Sequence, residues 1–483
     1  METRSLQANY LYSLIRIIVS SIVGLLIIAQ ANKALGPIQI GKVEYANTII
    51  NYFLMFSALG IPVYAIREVS KQRNDQIKLT QTVLELLIIL FITTFLAYCF
   101  LAFVLFQFDF LKEYKLLLII LSSMILFTNL GAEWFFQGVE DQKYITIRYV
   151  LVRIIAIGLL YIFVNNKEDY LNYAWITVFY LCGSSFFNFY FILKKLTFSS
   201  IKYEDLNLRK HIKPILIIFA AAISVNIYLQ LDNFLIGYLA GDKYLGYYSI
   251  ANKLIRYVIT FITVGGGVLL PRLSNLYEHD KNEYFNLLNK SYNFIILFSI
   301  PFSLYFYLFA DNIVYIMGGK DFQESIITLK ILSPLCIIIG IAYFIGYLVL
   351  IPQKREVLYT SSVIFSAFIS LLLNFYSIKL WQHNGAAIVQ IIAELLSVVL
   401  MLYFSRNIIG KIKLLSFNIL KIVFASFFVS VCFCLFKINV EQNLILFLLQ
   451  SVCFFGVIYL ILLCMKEETL SYLLNYLKLK IKV

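Results

Sequence analysis

The sequence predicts an all-α integral membrane protein of about fourteen transmembrane helices. Two pseudo-symmetric six-helix lobes would surround a central cavity, with two further helices at the C-terminus. Three observations predict it: an apolar composition, polar clusters that alternate in charge, and an internal repeat. Of 483 residues, 61% are hydrophobic and 14% charged, against roughly 45–50% and about 25% in soluble globular chains. Soluble enzymes, transcription factors and secreted disulfide scaffolds are excluded on this ground. A helix crossing the bilayer core needs about 20 mostly apolar residues, and the chain has enough for about fourteen.

Apolar runs bounded by polar clusters place the spans at 10–31, 44–66, 83–106, 115–137, 149–164, 173–193 and 214–238, then at 247–270, 291–310, 326–351, 358–378, 386–404, 419–438 and 444–464. No small-residue cleavage site follows the first run, so it reads as a retained helix. The organisation is then an N-lobe at 1–195, a linker at 196–213, a C-lobe at 214–405, and the last two spans with the tail at 406–483. Of the 40 Lys and Arg residues, 26 fall in loops on the side of both termini, nine in the opposite loops and five within spans. Positive residues stay cytoplasmic, so both termini are expected in the cytoplasm. The net charge of +13 is scattered in short clusters and forms no continuous basic face, which argues against a nucleic-acid partner. The stretch Pro271–Lys290 has apolar residues at helical spacing and is expected to lie along the membrane face.

At an offset of 205, residues 36–67 align without a gap on 241–272, with 10 of 32 positions identical. The pairs include Gly36/Gly241, Gly41/Gly246, Asn47/Asn252, Gly60/Gly265 and Arg67/Arg272. Six crossings separate the copies, so the repeat is parallel, and two such lobes are the usual basis of alternating access in transporters.

Ionisable residues inside spans are costly and face a cavity or a partner. Arg153, Lys330 and Glu85 lie near span ends and are expected to snorkel. Arg16, Asp232, Lys253, Arg256 and Glu394 are deeper. Asp232 and Lys253 fall at similar depth on consecutive spans and suit an ion pair. Arg256 and Arg16 have no obvious local partner. They either bind an anionic ligand such as a phosphate, through the bidentate fork of the guanidinium, or pair with distant acids such as Glu394. Asp232 and Glu394 are the only deep carboxylates and the candidates for coupling to a proton or sodium gradient. If Lys253 holds Asp232, Glu394 is the better proton carrier. Gly265, Gly266 and Gly267, followed by Pro271, mark a candidate hinge, with close helix packing as the competing reading. The seven cysteines lie inside apolar runs without a C-x-x-C pair, and His211, His279 and His383 are far apart. No metal site, cofactor or catalytic constellation is expected.

Three segments, LGPIQIGKVEYANTIINYFLMFSALGIPVYAIREVSKQR, EWFFQGVEDQKYITIR and LDNFLIGYLAGDKYLGYYSIANKLIRY, resemble Wzx-type polysaccharide repeat-unit flippases. These belong to the multidrug/oligosaccharidyl-lipid/polysaccharide (MOP) exporter superfamily. The resemblance covers roughly residues 5–410, and EWFFQG is its most specific piece. The approach AQANKALGPIQIG departs from the Pro-Tyr-rich approach of many relatives. The resemblance implies a transporter and not an enzyme. Its cargo would be an undecaprenyl-pyrophosphate-linked oligosaccharide such as an O-antigen or capsule unit, moved across the bacterial inner membrane, with other polysaccharide assembly proteins as possible partners. It implies that Arg16, Lys253 and Arg256 receive the pyrophosphate. A drug or cation antiporter of the same superfamily is the alternative, but would favour an acidic cavity. A polymerase or glycosyltransferase is more distant: no outer loop exceeds about 15 residues and no D-x-D occurs.

Overall fold

A computed structural model describes residues 6–197, 201, 203–263, 266–410, 412, 414, 416–436 and 444–471. Every regular element among them is helical. The chain divides into two compact units, residues 1–246 and 247–483.

The first unit contains α1 (Leu6–Ala58), α2 (Ile61–Gln72), α3 (Gln76–Gln107), α4 (Lys115–Gly131), α5 (Glu133–Gly138), α6 (Gln142–Phe163), α7 (Tyr170–Cys182), α8 (Ser185–Lys195) and α9 (Arg209–Leu239), and it ends just inside α10 (Asp242–Thr263). α1 packs along α3, α4, α6, α7 and α9, and α2 packs on α3, α5 and α9. α3 shows how sequence sets the packing. Val83, Leu86, Leu90, Thr94, Ala97 and Leu101 recur every three or four residues and are buried. Phe91, Phe95, Phe103 and Phe106 lie on the other face, all more than half exposed, where a bilayer would cover them. Asp75 starts this helix, its carboxylate accepting from the Lys78 amide.

The second unit continues through α11 (Gly266–His279), α12 (Lys281–Leu308), α13 (Ala310–Gly318), α14 (Ser325–Leu332), α15 (Leu335–Tyr343) with a π-helical extension (Phe344–Leu350), α16 (Glu356–Ile409), α17 (Phe417–Phe436) and α18 (Leu444–Cys464). α17 packs on α12, and α18 on α17. The Tyr305 ring of α12 lies 5.0 Å from that of Phe455, and its hydroxyl is 2.6 Å from Ser451 Oγ. The polar stretch Pro271–Lys290 is not one continuous helix. Asp280 interrupts it by capping the Asn282 and Glu283 amides, so its halves are the end of α11 and the start of α12.

Ten helical stretches among the described residues are long and apolar enough to cross a membrane. Two of them, Ile18–Gln72 and Glu356–Asn407, run to 55 and 52 residues. At 1.5 Å per residue that is about 80 Å, more than twice a hydrocarbon core of about 30 Å. Each contains a break: at Gly36 (φ 72°) before Pro37 in α1, and at Trp381 and Gln382 (φ 46°) in α16.

The repeat has a structural counterpart. Gly36 and Gly241 both have positive φ, 72° and 94°, a region that residues with a Cβ enter at a cost. Each is followed by helix, over 37–58 in α1 and over Asp242–Thr263 in α10. The next helices start at Ile61 and Gly266. The two copies also touch. A Cβ on Gly41 would overlap the Asp242 carbonyl, and one on Gly246 would overlap the Pro37 carbonyl. Positions 37 and 242 are repeat partners, as are 41 and 246, so the contact maps onto itself when the copies exchange.

Candidate functional site

The EWFFQG segment is the point around which the first unit places its charge. Ala132, fully buried and left-handed (φ 37°), ends α4 and turns the chain into α5. Trp134, Phe135 and Phe136 plug into the core formed by Ile61, Val69, Val83 and Ile145. The polar residues of α5 then point elsewhere. Glu133 Oε1 lies 3.4 Å from Arg16 Nη1 and accepts from Gln137 Nε2 at 3.2 Å. Sequence reading left Arg16 without a local partner. Its partner is 117 positions away.

Arg148 joins this group, and sequence reading missed it as a loop cation. Its side chain is buried, at 7% exposure, with the guanidinium 4.8 Å from the Tyr144 ring and 5.6 Å from the Phe136 ring. Among the described residues none of its three nitrogens makes a hydrogen bond of good geometry, although the Tyr144 side chain lies beside it. The available signal was its position four residues after Tyr144, on one helix face.

Trp134 also lines a cavity of about 400 Å³ in the first unit, with Asn51, Tyr52, Asn129, Phe219 and Gln230. Its lining carries no charged residue. Asn129 is tied back by donating to Ser57 Oγ and Thr94 Oγ1, while Asn51 and Gln230 are half-buried.

The residues expected to snorkel behave differently from one another. Lys330 is partly exposed and pairs with Asp311 at 2.8 Å. Arg153 is buried, stacked on Tyr180 and Tyr149 at 3.1 and 4.5 Å. Glu85 is fully buried and does not reach water. Its carboxylate takes Lys210 Nζ at 2.7 Å, His211 Nε2 at 2.8 Å, the Asn207 amide at 2.8 Å and Gln81 Nε2 at 3.0 Å. His211 Nδ1 in turn lies 2.8 Å from the Tyr64 hydroxyl. A buried carboxylate is stable when its lone pairs are satisfied in this way. The group ties the first turn of α9, with Asn207 just before it, to α2 and α3.

Asp232 is buried in α9, within electrostatic reach of Tyr52. In α10, Lys253 is half-buried. Arg256, also half-buried, donates from Nε to Asn252 Oδ1 at 3.1 Å, and among the described residues no acid forms an ion pair with it. Glu394 is half-buried in α16, within electrostatic reach of Tyr359. Of the hinge residues, Gly266 and Gly267 open α11 and Pro271 lies inside it; Gly265 lies outside the described residues. No cluster of three or more His, Cys, Asp or Glu side chains that could hold a metal occurs among the described residues.

Residues 6–277 match the family described as polysaccharide biosynthesis protein, more than half of the chain. The chain belongs to this family. The polysaccharide biosynthesis family thus supplies the whole first unit, including Arg16, Glu133 and Arg148, and extends past Arg256. Over 387 residues the chain is 24% identical to a protein of Escherichia coli (strain K12) named as an O-antigen transporter, covering 78% of this chain and 90% of that one. Its fold is similar to that of the lipid II flippase MurJ in an inward closed conformation, with a TM-score of 0.74 at 16% identity, over 94% of this chain and 98% of that one. It is also similar to a multidrug resistance MATE family transporter of the MOP superfamily, with a TM-score of 0.63 at 14% identity, over 83% and 99%. The fold of this family member is therefore that of MOP superfamily transporters.

Proposed function

We propose that the protein is a flippase for undecaprenyl-pyrophosphate-linked oligosaccharide repeat units, working across the bacterial inner membrane by alternating access with both termini in the cytoplasm. The lobes at 1–195 and 214–405, with fourteen crossings in all, are the parts that rock, and Gly265–Gly267 with Pro271 is the hinge. Arg16, Lys253 and Arg256 receive the diphosphate. A proton or sodium gradient drives the cycle through one of Asp232 and Glu394, and through Glu394 if Lys253 holds Asp232.

The observation that carries this reading is Arg256: a half-buried guanidinium in the amphipathic helix α10, bonded to the neutral Asn252. A charge in that setting is costly without a counter-ion, and a diphosphate is one that Arg grips through two parallel bonds. Support also comes from the family and from a relative named for O-antigen transport. A diphosphate-bearing sugar chain does not cross hydrocarbon unaided, so the activity calls for a shielded polar path.

Arg256→Gln removes the charge and Arg256→Lys keeps it without the fork. The expected outcome is loss of polysaccharide surface display with Gln and partial display with Lys, at equal levels of membrane-inserted protein. Full display with Gln overturns the role of Arg256. Orientation is read separately, in a chain whose native cysteines are replaced. A cysteine at Asn166 should react with an impermeant thiol reagent from outside, and one at Lys354 should not; the reverse pattern overturns the topology.

A further inference from the structure

We propose that Arg16, Arg148 and Glu133 form a binding site for a lipid-borne phosphate, in which Glu133 is a built-in stand-in anion that the phosphate displaces. The proposal deepens the flippase reading and rests on it only for the source of the phosphate.

The starting point is Arg148. Its three guanidinium nitrogens are buried and, among the described residues, none makes a hydrogen bond of good geometry; the neutral Tyr144 side chain is beside it and brings no counter-charge. The Tyr144 and Phe136 rings cover its flat face, but stacking satisfies none of its five N–H donors. Taking such a group out of water costs several kcal/mol unless an anion compensates. Glu133 and Arg16 both lie within electrostatic reach of this guanidinium. Glu133 is thus shared by two cations, and among the described residues the group is one negative charge short.

The geometry of Glu133 fits a stand-in better than a dedicated partner. Its contact with Arg16 is 3.4 Å, longer than the roughly 2.7–2.9 Å of a well-made charge-assisted bond. The same oxygen also accepts from Gln137, and the carboxylate side chain is 39% exposed. The group is therefore reachable from the Glu133 side, while Arg148 waits in the interior. A phosphate offers several acceptor oxygens to the two guanidinium forks, whereas one carboxylate offers two. As the phosphate arrives, Glu133 swings out with Gln137 and both arginines close on the new anion.

The two sources of a lipid-borne phosphate are a polyprenyl diphosphate and an anionic phospholipid. The test uses the full chain in detergent with farnesyl diphosphate and short-chain phosphatidylglycerol as probes, and native mass spectrometry as the readout. Arg148→Gln and Arg16→Gln should each weaken binding by about tenfold, the loss of one good charge-assisted contact. Arg148→Lys should fall between Gln and wild type. Glu133→Gln should tighten binding several-fold, because it removes the competitor.

Preference for farnesyl diphosphate assigns the site to the transported lipid, and equal binding of both probes assigns it to bilayer headgroups; each outcome supports the site. Wild-type binding by Arg148→Gln overturns it. So does weaker binding by Glu133→Gln at unchanged thermal stability, which would make Glu133 a scaffold. If Arg148→Gln fails to insert, the Arg148→Lys and Glu133→Gln results decide. Failure of this site with Arg256→Gln still blocking display leaves the transport reading intact.

Discussion

The two copies of the repeat, 36–67 and 241–272, share a backbone plan and differ in how they use polar side chains. Both begin at a left-handed glycine and run on as helix, over 37–58 in the first copy and Asp242–Thr263 in the second, with the next helices starting at the matching positions Ile61 and Gly266. Both place an asparagine one turn before the central polar position. In the second copy Asn252 Oδ1 is satisfied by Arg256. In the first, Asn51 replaces the arginine and lines a cavity, leaving Asn47 Oδ1 buried without a partner. The glycines are thus held by backbone geometry common to both copies, whereas the polar residues are free to diverge toward different tasks. At that central position one copy carries a charge, and the other keeps a neutral polar group facing a cavity.

The glycine contact is where the comparison breaks most severely. Gly41→Ala or Gly246→Ala sets a methyl against a backbone carbonyl of the other copy, which no side-chain rotation relieves. Each should destabilise by at least about 3 kcal/mol, read as a large fall in folded yield and melting temperature in detergent. Gly456→Ala, with open space around it, should leave both unchanged.

A smaller effect is expected at Gly241, which also has open space but sits at φ 94°. Gly241→Ala should cost about 1–2 kcal/mol from the left-handed backbone alone. A result as severe as Gly41→Ala would mean that the turn tolerates no side chain. Finest is the asparagine pair. Asn252→Leu takes from Arg256 its Nε acceptor and should cost about 1–3 kcal/mol, while Asn47→Leu removes an unpaired oxygen and should be near neutral. Equal costs in a melting-temperature comparison would show that the two asparagines do the same job.

The fold class was legible because it follows from bulk properties. Apolar runs, the Lys and Arg bias and the recurrence of Gly36 at Gly241 are all local or periodic signals. The break at Gly36–Pro37 was visible for the same reason. The break at Trp381 and Gln382 was legible too, since it falls in the gap between the expected spans 358–378 and 386–404, although neither residue type announces the positive φ at Gln382. The site was legible only in part. Depth within a span picked out Arg16 and Arg256, but depth does not say which acid a cation meets. Glu133 reaches Arg16 only because Ala132 turns the chain, and Arg148 is buried because Phe136 and Tyr144 come together over it. Glu85 was misjudged because its partners come from a polar segment whose path is set by α9, not by α3.

The Glu85 group has a consequence for how the protein is made. Its imidazole partner is encoded 126 residues downstream, and at roughly 5–20 residues per second the ribosome takes about 6–25 seconds to supply it. During that interval α3 is already made while Lys210 and His211 are not. Until then the Glu85 carboxylate lacks the donors that satisfy it in the finished fold. The N-terminal helices therefore reach their final arrangement only after synthesis has passed residue 211. A nascent chain stalled before that point would hold an incomplete bundle, recognisable to membrane quality control as unfinished.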